Sequence, residues 1–252
     1  MRATLIRRTS VAAAAVSLAL LGTACSAGKS GDEGAGKGKE SGAAEPGAVR
    51  APSAAELEKL VLAQGDVAGH KVTKAGPGDT LTAKDITVDK AQCEPIARLI
   101  AGVAAGEPAA EVKRKVLEEP KKGDSVEDIA AAFDVTLTMP VLGSYEAKGA
   151  EETFAALRTA ATACAGGFQV TVRGTQRKVL SVTGTPLTGG DEAAAWTVVT
   201  EQEGDRMPVK IAAVRKGAVI AGFYAMNVMA AGAGKDYELP KVVVDAQVAK
   251  LG

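Results

Sequence analysis

The chain has 252 residues, 46% of them hydrophobic, with 30 lysine and arginine side chains against 30 aspartates and glutamates. That balance leaves no basic excess to hold nucleic acid or an anionic membrane surface by charge alone. Only 3% of the residues are aromatic, which argues against a carbohydrate-stacking surface.

The N-terminus carries Arg2, Arg7 and Arg8 and no acid before an apolar run from Val11 to Leu21. A helix over that run rises about 16 Å, too little for a hydrocarbon core of about 30 Å. A basic start, a short apolar middle and the small residues Gly22, Thr23 and Ala24 make residues 1–24 an export signal. The residues ending at Cys25 resemble a bacterial lipobox, which implies a diacylated Cys25 at the mature N-terminus. Gly22 stands where a lipobox usually has leucine, and an ordinary secretory cleavage is the alternative. The Arg7-Arg8 pair leaves both the general and the twin-arginine export routes open.

Residues 26–52 hold seven glycines and two prolines, with Val49 the lone branched aliphatic. Such a segment buries too little apolar surface to offset its ordering entropy, so 25–52 reads as a lipidated cysteine followed by a flexible tether. Gly31 to Gly38 nearly matches a phosphate-binding loop but lacks the final hydroxyl, and Ser26 to Lys29 matches S-x-x-K without its companion motifs. Both are products of low complexity. Loss of the signal removes three arginines, so the mature chain carries 27 basic and 30 acidic side chains, a net charge of −3.

Residues 53–252 suffice for one globular domain with a substantial core. Ser53 and Glu56 form a capping box for a first helix to about Ala63. Residues 70–88 read as extended and irregular. Asp89 and Gln92 suggest a second capping box, opening a helix with the stripe Cys93, Ile96, Ile100, Val103. Glu111 to Glu118 suits either a helix or an edge strand, and Asp134 to Leu142 alternates like a strand. A helix near Ala150 to Ala165 carries the stripe Phe154, Leu157, Ala161, Cys164 and stops at Gly166-Gly167. With Cys25 acylated, Cys93 and Cys164 remain as an even pair on two inward stripes in an oxidising compartment, where a disulfide is the default. Two unpaired buried thiols are the alternative.

The remainder is mostly β. Strands are expected at Val179–Thr185, Ala193–Glu201, Met207–Arg215 and Ala218–Val228, the last three as a meander turning at Glu203-Gly204-Asp205 and Lys216-Gly217. A final helix runs from about Pro240 to Lys250. Helices before strands without βαβ alternation predict an α+β fold, an antiparallel sheet with helices packed on one face.

These segments resemble the PknH-like extracellular sensor domains of actinobacterial lipoproteins. The likeness rests on AQCEPIARL (91–99), ATACAGGF (161–168), LTGGDEAAAWTV (187–198), VKIAAVRKGAVIAGF (209–223) and VVVDAQVAKL (242–251), and covers roughly residues 55–250. The resemblance implies a non-catalytic outer domain with a ligand cleft beside its sheet. Two departures stand out: there is no kinase domain here, and the single pair Cys93–Cys164 replaces two disulfides.

Chemistry is sparse. One histidine, His70, excludes zinc sites built from several imidazoles and leaves one base for any Ser-His or Cys-His pair. Next to Gly69 it reads as a surface residue. No G-x-S-x-G occurs, and Glu151-Glu152 is accounted for by a helix N-terminus. No enzyme, no metal and no cofactor are therefore expected. Trp196, Phe223 and Tyr224 fall in the meander with Arg215. Trp196 and Phe223 read as core. The functional reading is an apolar cleft at Trp196 with Tyr224 and Arg215 as polar anchors. The expectation is a membrane-anchored extracytoplasmic lipoprotein, held at the outer face of the cytoplasmic membrane, whose domain binds a small ligand or an envelope protein. The alternative is a lipid or glycolipid carrier.

Overall fold

The structure, a computed structural model, describes residues 50–120 and 134–252. The signal, Cys25 and nearly all of the tether lie outside the described residues.

Nine strands form one antiparallel sheet. They are β1 (His70–Lys74), β2 (Ile86–Val88), β3 (Ala110–Glu118), β4 (Thr136–Ser144) and β5 (Phe168–Val172), then β6 (Thr175–Thr185), β7 (Glu192–Gln202), β8 (Asp205–Lys216) and β9 (Val219–Asn227). Their order is β1-β3-β4-β9-β8-β7-β6-β5-β2. The meander β7-β8-β9 stands at its centre, as its hairpin turns predict. The helices are α1 (Ala54–Leu60), α2 (Glu94–Ile100), α3 (Gly149–Ala163), α4 (Val228–Ala233) and α5 (Lys241–Leu251).

The α+β class and the antiparallel sheet are as the sequence implies, but the helices cover both faces rather than one. α2 and α3 pack over Val198, Ile211 and Ile220, whereas α1 and α5 pack over Ala212, Val214 and Phe223. The reason is visible in β8, where Pro208 to Val214 is buried without interruption. A strand that is apolar on both sides needs a cover on both sides.

Local signals explain most boundaries. Ser53 caps α1 in the predicted box: its N–H donates to Glu56 Oε2 at 2.7 Å, and Glu56 N–H donates to Ser53 Oγ at 3.4 Å. The Asp89–Gln92 box does not form. Asp89 Oδ1 instead accepts from Gln169 N–H at 2.8 Å, tying the end of β2 to β5, and a 3₁₀ turn (Ala91–Cys93) leads into α2. Residues 70–88, expected to be irregular, supply both edge strands, and 111–118 is strand β3.

The hairpin β5–β6 was not anticipated. It turns on Arg173 (φ 47°) and Gly174 (φ 81°), the two left-handed residues of a type I′ turn. β6 also carries one extra residue: Val179 pairs with Thr200 and Ser181 with Val199, so Leu180 has no opposite number. This bulge shifts the alternation by one, which is why Val179 and Val182, three apart, share the α2/α3 core.

Cys93 and Cys164 are joined in a disulfide, Cα atoms 5.8 Å apart, linking the entry of α2 to the end of α3. The other end of α2 lies close on the sheet. A Cβ on Gly222 of β9 would come within 2.8 Å of Leu99 Cδ2, so any side chain at this strand position would force Leu99 to shift.

Candidate functional site

Beyond Gly222 the sheet and α2 part, leaving a cavity of about 270 Å³ on the α2/α3 face. Its roof is the C-terminal end of α2, Ala97 and Ile100 to Gly102, together with Gly78, Asp79 and Leu81 from the segment between β1 and β2. Its floor is the sheet: Leu137 and Met139 of β4, Tyr224 and Met226 of β9, Thr200 of β7, Arg177 of β6 and Val170 and Val172 of β5. Register accounts for this set. Leu137 pairs with Met226, Met139 with Tyr224, and Val170 with Arg177, so neighbouring strands present these side chains in rows on one face. Arg177 shares its face with Val179, two residues on, and the bulge at Leu180 brings that face into phase with Val182 over the α2/α3 core.

The walls are apolar and the exceptions are few. Thr200 Oγ1 donates to the carbonyl of Met207 at 3.1 Å and is thereby satisfied. Tyr224 Oη reaches only Met226 Sδ at 3.6 Å, a weak acceptor. Burial pushes the Tyr224 phenol above its ordinary range, and the nearby charge of Arg177 partly opposes that shift. Arg177 stands apart. Among the described residues its Nε is the one buried side-chain nitrogen or oxygen without a hydrogen-bond partner.

That orphan is informative by contrast. Arg98 is held by Glu94 at 2.7 Å and Glu107 at 3.0 Å, Arg114 by Glu58 at 2.6 Å, and Lys210 by Asp236 at 2.6 Å. Asp79, the carboxylate at the cavity rim, is taken up by Lys115 at 3.5 Å and by the N–H of Gly76 at 3.2 Å. A buried guanidinium N–H without an acceptor loses water and gains nothing, a cost of about 1–3 kcal/mol. An apolar pocket whose wall carries one buried donor without an acceptor is chemically arranged to receive one.

The three residues singled out from sequence are not brought together. Tyr224 lines the cavity. Trp196 is 7% exposed and packs in the core under α3. Arg215 lies at the far end of β8, its Nε 2.5 Å from Glu192 Oε2 and its Nη1 3.3 Å from Asp191 Oδ2. The signal that locates Arg177 is the run FQVTV-RG-TQRKV, two alternating segments about a two-residue turn.

A larger and more open hollow, about 490 Å³, lies beside α4. Its carboxylates are already engaged, Asp236 by Lys210 and Asp134 by Asn227 Nδ2 at 2.7 Å. His70 Nδ1 lies 2.9 Å from the carbonyl of Ala68, away from either hollow. Among the described residues no three His, Cys, Asp or Glu side chains gather as metal ligands, and no helix is long and apolar enough to cross a membrane.

No family model matches the chain, and no curated protein sequence matches it. Among solved structures, the chain is similar to the extracellular domain of PknH from Mycobacterium tuberculosis, with a TM-score of 0.41 and 15% identity. The match covers 80% of this chain and 95% of that one.

Proposed function

We propose that the folded domain is a non-catalytic binding module, exported and tethered to the outer face of the cytoplasmic membrane through lipidated Cys25, with its ligand site in the cavity over Tyr224. One observation carries the ligand site: an apolar cavity holding the one buried side-chain donor that lacks an acceptor among the described residues. The basic and apolar N-terminus, the small residues before Cys25 and the glycine-rich segment after it support export and anchoring. The likeness of the sequence segments to sensor domains supports a binding role over a catalytic one.

The size of the cavity bears on the carrier alternative. Sites for drug-sized ligands run from about 300 to 1,000 Å³. At about 270 Å³ this cavity suits a small molecule and does not enclose a lipid with two acyl chains.

Two measurements test the proposal. Intact mass of the mature protein should show cleavage before Cys25 and a diacyl adduct on it; an unmodified Cys25 would overturn the anchor. Native mass spectrometry of protein from its own cells should show a bound small molecule, lost in Met139→Trp, which fills the cavity from β4. Identical ligand-free masses for both proteins would remove the cavity as the site.

A further inference from the structure

The structure points, we propose, to a single-chain carboxylate as the ligand class, with Arg177 as the group that holds its head and the α2–β4–β9 wall as the seat of its tail. The inference rests on the binding-module reading and goes beyond it in naming the chemistry.

The head follows from what Arg177 lacks. A guanidinium presents five N–H donors in a planar fork that matches two carboxylate oxygens. Here the Nε edge is buried and unanswered, and Arg177 makes no ion pair among the described residues. The carboxylate that lines the cavity, Asp79, is committed to Lys115 and Gly76, and Glu201 and Glu203, which share the neighbouring hollow with Arg177, make no ion pair with it among the described residues. A neutral ligand without an acceptor would leave the buried Nε donor unanswered, and a cationic one would be repelled by the guanidinium. An anionic head removes the mismatch. Tyr224 supplies a second donor, since its hydroxyl now gives its proton only to a thioether.

The tail follows from the opposite wall. Ile100, Leu137, Met139 and Met226 offer no polar side-chain atom beyond thioether sulfur, and the two methionines adapt to chains of different shape. A volume of about 270 Å³ equals the liquid share of about nine waters at about 30 Å³ each, which matches one short chain with its head. A carboxylate with a single short apolar chain fits both ends.

Calorimetric titration of the full chain with octanoate, octan-1-ol and octylammonium tests this, using wild type, Arg177→Gln, Arg177→Lys and Met139→Trp. Octanoate should bind wild type at least about tenfold more tightly than octan-1-ol, as expected when a charge-assisted pair is added to equal apolar burial. Arg177→Gln should bring octanoate down to the octan-1-ol level, Arg177→Lys should recover part of the loss, and added salt should weaken octanoate alone. Equal affinities for octanoate and octan-1-ol in wild type, both abolished by Met139→Trp, would overturn the carboxylate anchor and leave the cavity as a binding site. No binding of any of the three to wild type would overturn both. If Arg177→Gln does not fold, the octanoate to octan-1-ol ratio in wild type decides by itself.

Discussion

The two faces of the sheet differ in whether every buried polar group is answered. On the α1/α5 face each deep polar head has its answer. Gln247 of α5 accepts from Leu62 N–H at 3.1 Å and donates to the Leu60 carbonyl at 2.8 Å, closing the open end of α1. Arg114 donates to the Leu62 carbonyl at 3.1 Å beside its pair with Glu58, and Lys210 donates to Thr197 Oγ1 at 2.7 Å beside Asp236. On the α2/α3 face the half around the disulfide is closed and apolar, and the half beyond Gly222 holds a cavity with Arg177. A satisfied polar group in a core fixes structure, and an unsatisfied one is a cost that calls for an explanation.

The contrast can be broken at several points. The largest effect is expected from the closed half of the α2/α3 face. Replacing Cys93 and Cys164 by alanine opens a loop of 71 residues and should cost about 4 kcal/mol of stability, read as a lowered urea midpoint under oxidising conditions. On the other face, Gln247→Leu keeps the volume but orphans the Leu62 N–H and the Leu60 carbonyl, and a loss of about 2 kcal/mol is expected in the same assay. Arg177→Met should do the reverse. It removes an unanswered buried donor and should leave stability unchanged or raise it by up to about 1 kcal/mol, where the same change at a paired arginine such as Arg114 would destabilise. A clear loss of stability in Arg177→Met would mean that the group is structural.

The smallest effect concerns pH at the start of α1. Arg50, and then Ser53, hold the Glu56 carboxyl down at about 2 from an ordinary 4.5. A carboxyl depressed in the folded state contributes stability above its unfolded value and loses it as pH falls through its folded one. The first turn of α1 should therefore loosen between pH 4.5 and about 2, seen as reduced protection of the Glu56 and Leu57 amides relative to their intrinsic exchange rates while the sheet is unaffected. Protection at Glu56 that stays constant across that window would show that its pairs with Arg50 and Ser53 contribute nothing.

Much of the frame was legible in the residues. The meander, the two cysteine stripes and the Ser53 box each rest on periodicity or on a local hydrogen bond, and the structure reproduces them. The second helical layer was legible too, in the run Ile211 to Val214, apolar at every position on both faces of the strand, though the sequence analysis did not use it. The site was less so. Aromatic residues drew the eye to Trp196 and Tyr224, yet Trp196 is core because its large ring fills the space under α3. Arg215 shares a strand neighbourhood with Tyr224 in sequence but stands four residues along β8 from Ile211, the partner of Tyr224, and is held there by Glu192 and Asp191. The hairpin run from Phe168 to Val179 places Arg177 on a strand, but no motif marks its role. Its meaning comes from the acceptors it lacks, which is a property of the folded surroundings and not of the residue.

The bulge at Leu180 makes the site depend on a count. Strand β6 would keep its composition and charge, and lose a single half-buried leucine, if residue 180 were deleted. Parity would nevertheless be exchanged from Thr175 to Val179: Arg177 would turn to the opposite face of the sheet, and Gln176 and Lys178 would take its side. Comparison of relatives by identity at each position would score such a change as one gap. In a chain of this fold, the number of residues in β6 is therefore as much a determinant of what faces the cavity as the identity of any side chain there.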